Sequence, residues 1–219
     1  ERTLTGNGAP TALLPISSTI RRRVLSGGVP ESAVHVLRPA IDMSRVAHPQ
    51  RASLRESWGV EDDRTRVVAI LGDPAPAADA VHGVKAIGLA FEYMRGGDVH
   101  WRPLLHPNQH DRRRAEQITL PLAGHRQPVR DINLQWPWRV LPGCDYAVAY
   151  GEHAGGLSLL WAMAANIPIA GEATYAISEI VEDRHSALLT QPNEPPLLAH
   201  KLVQLHDDPQ LAWKLRDTA

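Results

Sequence analysis

The sequence predicts an α/β fold, a doubly wound parallel sheet preceded by a short N-terminal strand and helix. Three observations carry this. Val67-Val68-Ala69-Ile70-Leu71 is an unbroken apolar run closed by Gly72-Asp73-Pro74, the pattern of a strand buried on both faces. From Arg66 onward, short apolar runs alternate with segments of helical length, as in consecutive βαβ units. The composition, 43% hydrophobic and 21% charged, is that of a globular chain.

Taken in order, Glu1 to Pro10 is Gly- and Thr-rich and is expected to be frayed. Thr11 to Ile16 reads as a short buried strand. Ser17-Ser18 can cap a helix running through Arg21-Arg22-Arg23 to Leu25, with Gly27-Gly28 as its stop. Val34 to Leu37 is a second short strand, and Pro49 to Val60 a short helix ending at Gly59. After the Val67 to Leu71 strand, Ala77 to Met94 has helical spacing and Gly96-Gly97 terminates it. Val99 to Leu105 is a strand interrupted by Pro103. Asp111 to Leu120 is a strongly basic helix. Gln127 to Gly143, with Trp136, Pro137, Trp138 and Pro142, fits neither period. Asp145 to Tyr150 is a strand and Gly155 to Ala165 a helix opened by glycines. Ile167 to Ala170 is a strand, and Thr174 to Val181 a helix. The tail from Pro195 to Ala219 is helical with a break near Asp207-Asp208-Pro209. No internal repeat or low-complexity tract is visible.

At 219 residues the chain fits one large domain, or one domain plus an appendage. Lys+Arg 23 against Asp+Glu 24 argues against nucleic acid or an anionic membrane surface as a partner. The single cysteine, Cys144, excludes an internal disulfide framework and suits a reducing, cytoplasmic location. No apolar run has the length of a bilayer span. The chain opens at Glu1 without an initiator Met or a signal-like segment and reads as a piece of a longer protein.

In open α/β sheets ligands bind beyond the carboxyl ends of strands. Two such junctions stand out. One is Leu71-Gly72-Asp73-Pro74. The other is Tyr150-Gly151-Glu152-His153-Ala154-Gly155-Gly156-Leu157, a strand end, a polar pair and a double glycine opening a helix. The N–H groups of Gly155, Gly156 and Leu157 would make an anion site, because a helix start carries partial positive charge and glycine admits a phosphate closely. The alternative is a tight turn that needs positive φ.

The stretch from Gly155 through Trp161-Ala162-Met163-Ala164 to Ile167-Pro168-Ile169-Ala170 resembles the signature of glycosyltransferase family 4 (group 1), a GT-B family. There a Glu-Gly-x-Gly turn leads into a helix ending Glu-Ala-Met-Ala-x-Gly-x-Pro-Val. Ile177-Ser178-Glu179-Ile180-Val181-Glu182-Asp183 is similar to its Glu-Ile-Ile-x-Asp-Gly segment, and Ser186 to Pro192 to the continuation. Gly28-Val29-Pro30 through Ile41-Asp42 resembles the interdomain linker. The resemblance implies a C-terminal donor-binding domain at residues 43–219, preceded at 1–42 by linker and a remnant of the preceding domain. It further implies transfer of a sugar, of hexosyl type, from a nucleotide-diphospho-sugar to an acceptor hydroxyl. No cofactor or essential metal is implied, and the acceptor-binding N-terminal domain of the same chain would be the partner.

The same alignment shows where the family pattern degenerates. His153 stands at the first glutamate of the Glu-x7-Glu motif, which contacts the donor sugar, and Trp161 at the second, which accepts from the ribose hydroxyls. An indole offers one N–H and no acceptor. Asp73 follows Gly72 where the family carries a phosphate-binding arginine, and the lysine position falls near Ala78. A carboxylate beside a diphosphate is repulsive. Lys85, Arg130 or Arg139 are candidates to compensate, and Glu152 to take the first carboxylate's role if the loop shifts by one. Glu179 matches a family glutamate near the donor or is a helix-surface residue. The donor-contact set is therefore Gly72, Asp73, Glu152, His153, Gly155, Gly156, Leu157, Trp161 and Glu179. A catalytically inactive binding or scaffolding module of the same fold is the alternative.

Other features have plainer readings. His100, His106 and His110 resemble a metal cluster, but Pro107 separates the last two. Arg21-Arg22-Arg23 and Arg112-Arg113-Arg114 read as solvated helix faces, and Cys144 as a small core residue. Trp136 and Trp138 serve either core packing or stacking on a base or sugar. A dinucleotide oxidoreductase is disfavoured by the lack of a Gly-x-Gly-x-x-Gly turn after the first strand.

Overall fold

A computed structural model of the chain describes residues 12–46, 51–71, 81–94, 100–105, 129–130, 137–151 and 156–219. Two compact units divide at residues 40 and 41. The expected frayed start, the start of the Ala77 to Met94 helix, Gly96-Gly97, the basic helix at 111–120, His106, His110 and Trp136 lie outside the described residues.

In the first unit, helix α1 (Ser18–Ser26) starts where Ser17 Oγ accepts the N–H of Ile20 at 3.2 Å. Arg21 of α1 pairs with Glu31. The two strands expected here are reduced to one parallel bridge, Leu13 with Val34, extended by the Leu37 N–H donating to the Pro15 carbonyl at 2.9 Å. A 3-10 turn over Glu31–Ala33 occupies the approach to Val34.

The second unit is a parallel six-stranded sheet. Its strands are β1 (Thr65–Leu71), β2 (His100–Leu105), β3 (Val129–Arg130), β4 (Tyr146–Ala149), β5 (Ile169–Glu172) and β6 (Leu188–Thr190), in spatial order β3-β2-β1-β4-β5-β6. The doubly wound sheet is as expected, with differences in its parts. β3 lies in the segment that fits neither period, and β6 falls where no strand was expected. β5 begins two residues later than Ile167 and runs on through Gly171 and Glu172. Pro103 does not break β2; among the described residues β3 pairs with β2 only at Leu104 and Leu105, beyond the proline.

Alternation along β1 sends Val67, Ala69 and Leu71 to one face and Val68 to the other, so each face has its own core. The first core holds Trp58, Leu104, Leu141, Cys144, Leu159 and Trp161. It lies beneath α2 (Arg51–Ser57), α4 (Pro137–Val140), α5 (Leu157–Ala164) and α6 (Tyr175–Ser178). The second is covered by α3 (Val81–Tyr93), α7 (Pro195–Asp207) and α8 (Pro209–Thr218), through residues such as Ile87, Leu198, Leu202 and Leu215. The α6 helix is shorter than the expected Thr174 to Val181, since the chain turns at Glu179-Ile180. Asp145 ties α2 to the sheet: its carboxylate pairs with Arg51 at 2.6 Å and Arg55 at 2.8 Å and accepts the Val67 N–H at 2.8 Å. No described helix is long and apolar enough to cross a membrane.

Candidate functional site

Strand order fixes where a ligand crevice belongs. β1 has β2 on one side and β4 on the other, so the winding reverses between β1 and β4, and in open sheets of this kind ligands bind beyond the carboxyl ends of such a pair. Leu71 pairs with Ala149 there. The two turns singled out in the sequence, after Leu71 and after Tyr150, therefore leave from adjacent strands at one edge. The α3 helix approaches the same edge closely. A Cβ on Gly83 would lie 3.1 Å from the Tyr150 ring and 3.2 Å from Ile70, so glycine sets that spacing.

Gly156 precedes α5 with φ of +96° and ψ of −141° and supplies no side-chain cap. A Cβ there would meet no atom within 4 Å, so the backbone conformation rather than space calls for glycine. The first N–H groups of a helix lack intrahelical partners. Among the described residues helix α5 thus begins with a positive-φ residue and no side-chain cap at once, and the turn and anion-site readings are compatible at Gly156. Leu157, its first residue, is 53% exposed.

Below this edge the loops are pinned by a residue the sequence reading did not single out. Glu172 ends β5 and is 1% exposed. One carboxylate oxygen accepts the Gly151 N–H at 2.9 Å and the other the Asn193 N–H at 3.1 Å. Both partners have positive φ, +76° and +64°. Thr174 adds a second tie, its hydroxyl donating to the Gly151 carbonyl at 3.3 Å and accepting from the Ile177 N–H at 3.4 Å. The signal available in the sequence was an acid placed directly after an apolar run at a strand's carboxyl end.

Of the sequence-derived donor contacts, Gly72, Asp73, Glu152, His153 and Gly155 lie outside the described residues, as does Ala78. Gly156 and Leu157 stand together at the start of α5. Trp161, one turn on, is 6% exposed and tilts against Trp138 with ring centroids 4.9 Å apart. Its indole is part of the first core, and Trp138 packs on that core with the Arg45 guanidinium 5.7 Å from its ring centre. Glu179 lines a recess of about 520 Å³ with Met163, Glu182, His185 and Thr218, a group that includes neither Gly156 nor Leu157. Lys85 and Arg139 are exposed on α3 and α4, and Arg130 ends β3. His100 begins β2, and no three His, Cys, Asp or Glu side chains among the described residues are grouped to hold a metal.

No protein-family model matches the sequence, and no curated protein matches it. Solved structures do. HepE from Anabaena, solved in complex with UDP-glucose, aligns over 97% of this chain and 58% of its own with TM-score 0.78 and 16% identity. A glycosyltransferase from Rickettsia africae aligns over 94% of this chain and 56% of its own with TM-score 0.77 and 13% identity. The C-terminal domain of a group 1 family glycosyl transferase, LpcC from Francisella tularensis, aligns over 82% of this chain and 94% of its own with TM-score 0.63 and 16% identity. The fold is therefore the Rossmann-like α/β fold of GT-B glycosyltransferases, and the chain spans somewhat over half the length of the full enzymes.

Proposed function

We propose that this chain is the donor-binding half of a glycosyltransferase, moving a hexosyl group from a nucleotide-diphospho-sugar to an acceptor hydroxyl. The observation that carries the reading is the glycine-opened, uncapped start of α5 beside the β1–β4 reversal. An N-terminal helix dipole and free N–H groups favour the two negative charges of a diphosphate at that point. Gly155, Gly156 and Leu157 are assigned to the diphosphate, and Gly72, Asp73, Glu152 and His153 to the loops around it. The fold shared with HepE, which was solved with UDP-glucose, supports a nucleotide-sugar as the ligand.

In this proposal residues 43–219 are the donor domain. Residues 1–42 are linker and remnant of an acceptor-binding domain carried by the rest of a longer, cytoplasmic chain. Transfer requires the acceptor hydroxyl to be held over the donor, so the isolated chain is expected to bind donor without turning it over. No metal or cofactor is assigned a step.

One observation favours a second reading, a glycosyltransferase-like binding module without activity. At the position where the family carries a ribose-binding carboxylate, the Trp161 indole is committed to the core. Calorimetric titration with UDP, GDP and their glucose conjugates separates the two. Saturable binding accompanied by amide protection at Gly156 and Leu157 supports the donor site. Silence across the panel leaves the binding module.

A further inference from the structure

A second cavity, of about 840 Å³, lies at the opposite edge of the sheet, at the amino ends of β4 and β5. Asp145 and Tyr146 open β4 on one side, and Ile167-Pro168 lead into β5 on the other. Leu205 of α7 and Ala212, Trp213 and Arg216 of α8 form a further wall, with Arg51 of α2 across from them. The volume falls within the range of small-molecule sites, roughly 300–1,000 Å³.

Two features give the cavity a chemical preference. First, its charge is positive. Its charged lining residues are Arg51 and Arg216 against the one acid Asp145, which is itself shared with Arg55. The Nε of Arg216 is buried and has no hydrogen-bond partner among the described residues. A buried guanidinium N–H without an acceptor is costly, and in native proteins such groups usually have a partner. Second, one turn earlier on α8, Trp213 lies 56% exposed on the same cavity. A large indole left half in water on the same cavity as the Arg216 guanidinium offers a flat apolar surface together with a group that can receive an anion.

We propose that this cavity binds a small amphipathic organic anion, with one carboxylate or phosphate group on Arg216 and a flat apolar body against Trp213 and the Ile167-Pro168 corner. The site is independent of the nucleotide reading, since it sits at the other end of the strands.

Phenyl phosphate and phenylacetate are the probes, titrated into the chain by calorimetry and by following tryptophan indole N–H resonances. The Trp213 resonance is assigned through Trp213→Phe. Saturable binding of either probe that shifts it supports the site, and the ratio of the two affinities names the anionic group. Arg216→Gln is expected to weaken binding by about tenfold or more, the effect of one charge-assisted hydrogen bond. Arg216→Lys is expected to recover part of that loss, and benzyl alcohol, without charge, to bind at least about tenfold more weakly. UDP is expected to leave the titrations unchanged, which separates this result from the fate of the donor site. Equal binding by Arg216→Gln and the unaltered chain, or no shift at Trp213 with either probe, overturns the proposal.

Discussion

The carboxylate of Glu172 accepts the backbone N–H of Gly151 at 2.9 Å, across from the strand that delivers Gly151 to the ligand edge. With its other oxygen on Asn193, one buried acid fixes two left-handed turns on either side of β5. Hydrogen bonds to a charged acceptor contribute about 1.5–3 kcal/mol each. Glu172→Gln places an NH₂ group against one of two donors and is expected to lower unfolding free energy by about 2 kcal/mol. Glu172→Ala strands both donors and is expected to cost about 3–5 kcal/mol. Urea denaturation reads both, as a shift in midpoint with the slope unchanged.

Asp145 holds a different part of the fold. Its side chain is 13% exposed and that of Arg55 12%, and together with Arg51 they form a cluster closed by the Val67 N–H. Removing the carboxylate leaves the less exposed cation against two neutral carbonyls, of Thr65 at 2.7 Å and Asp62 at 3.5 Å. Asp145→Ala is expected to destabilise by about 3–5 kcal/mol, as for a broken buried pair. Arg51→Ala, whose side chain is 47% exposed, is expected to cost about 1 kcal/mol or less. Equal effects of Asp145→Ala and Arg51→Ala in chemical denaturation would show that the cluster does not rest on the less exposed Asp145–Arg55 pair.

Tyr146 and His206 meet at 3.3 Å between Oη and Nδ1, with Trp101 packed against both rings. Burial pushes the Tyr146 hydroxyl up to about 12, outweighing the nearby Arg66, while Asp145 and Asp207 act in the same direction as burial. Burial, then Arg66, pushes His206 below its ordinary value, and Asp207 and Asp145 oppose them. For Tyr146 the unfolded chain ionises first as pH rises. Its stabilising share, about 2–3 kcal/mol, is therefore present below pH ~10 and lost on the way to ~12. For His206 the unfolded chain binds the proton first as pH falls. Its share is present above pH ~6.5 and lost below. Thermal melts across pH should narrow at both ends, and Tyr146→Phe should flatten the alkaline limb only.

Trp161 offers a direct test of what the first core tolerates. Trp161→Glu restores the carboxylate of the resembling family, but it would place that charge where the indole is 6% exposed against Trp138. An unpaired buried carboxylate is costly, so loss of more than about 3 kcal/mol is expected, against roughly 1–2 for Trp161→Phe. A stable Trp161→Glu variant with improved UDP binding would show that the ribose position is accessible after all.

What the sequence made legible follows from how much signal each element carries. Five consecutive apolar residues marked β1, and the Ser17 cap marked the start of α1. Three residues, Leu188 to Thr190, and two, Val129 and Arg130, are too short to show a period, so β6 and β3 did not emerge. The displacement of β5 has a different cause. Gly171 and Glu172 do not look like strand interior, yet both are buried, because the acid is satisfied by N–H groups from loops distant in sequence. The double glycine was readable as a turn or an anion site. Trp161 was placed among donor contacts by alignment alone, and its burial depends on Trp138, from a segment with no periodic pattern.

Gly156 joins these strands of argument, since its φ of +96° and the uncapped start of α5 are properties of one residue. Gly156→Ala meets no steric obstacle from neighbouring atoms, so its effect is confined to the backbone. Holding an L-residue in that region costs about 1–3 kcal/mol, which thermal melting will register. If the N–H groups of this turn receive a diphosphate, the same substitution also misdirects them. UDP affinity should then fall by about tenfold or more, as a lost charge-assisted bond requires. Glu179→Gln, in the separate recess with Met163 and Thr218, should leave UDP affinity unchanged. A Gly156→Ala chain that is destabilised yet binds UDP as before would reduce the glycine to a turn and remove the nucleotide from the start of α5.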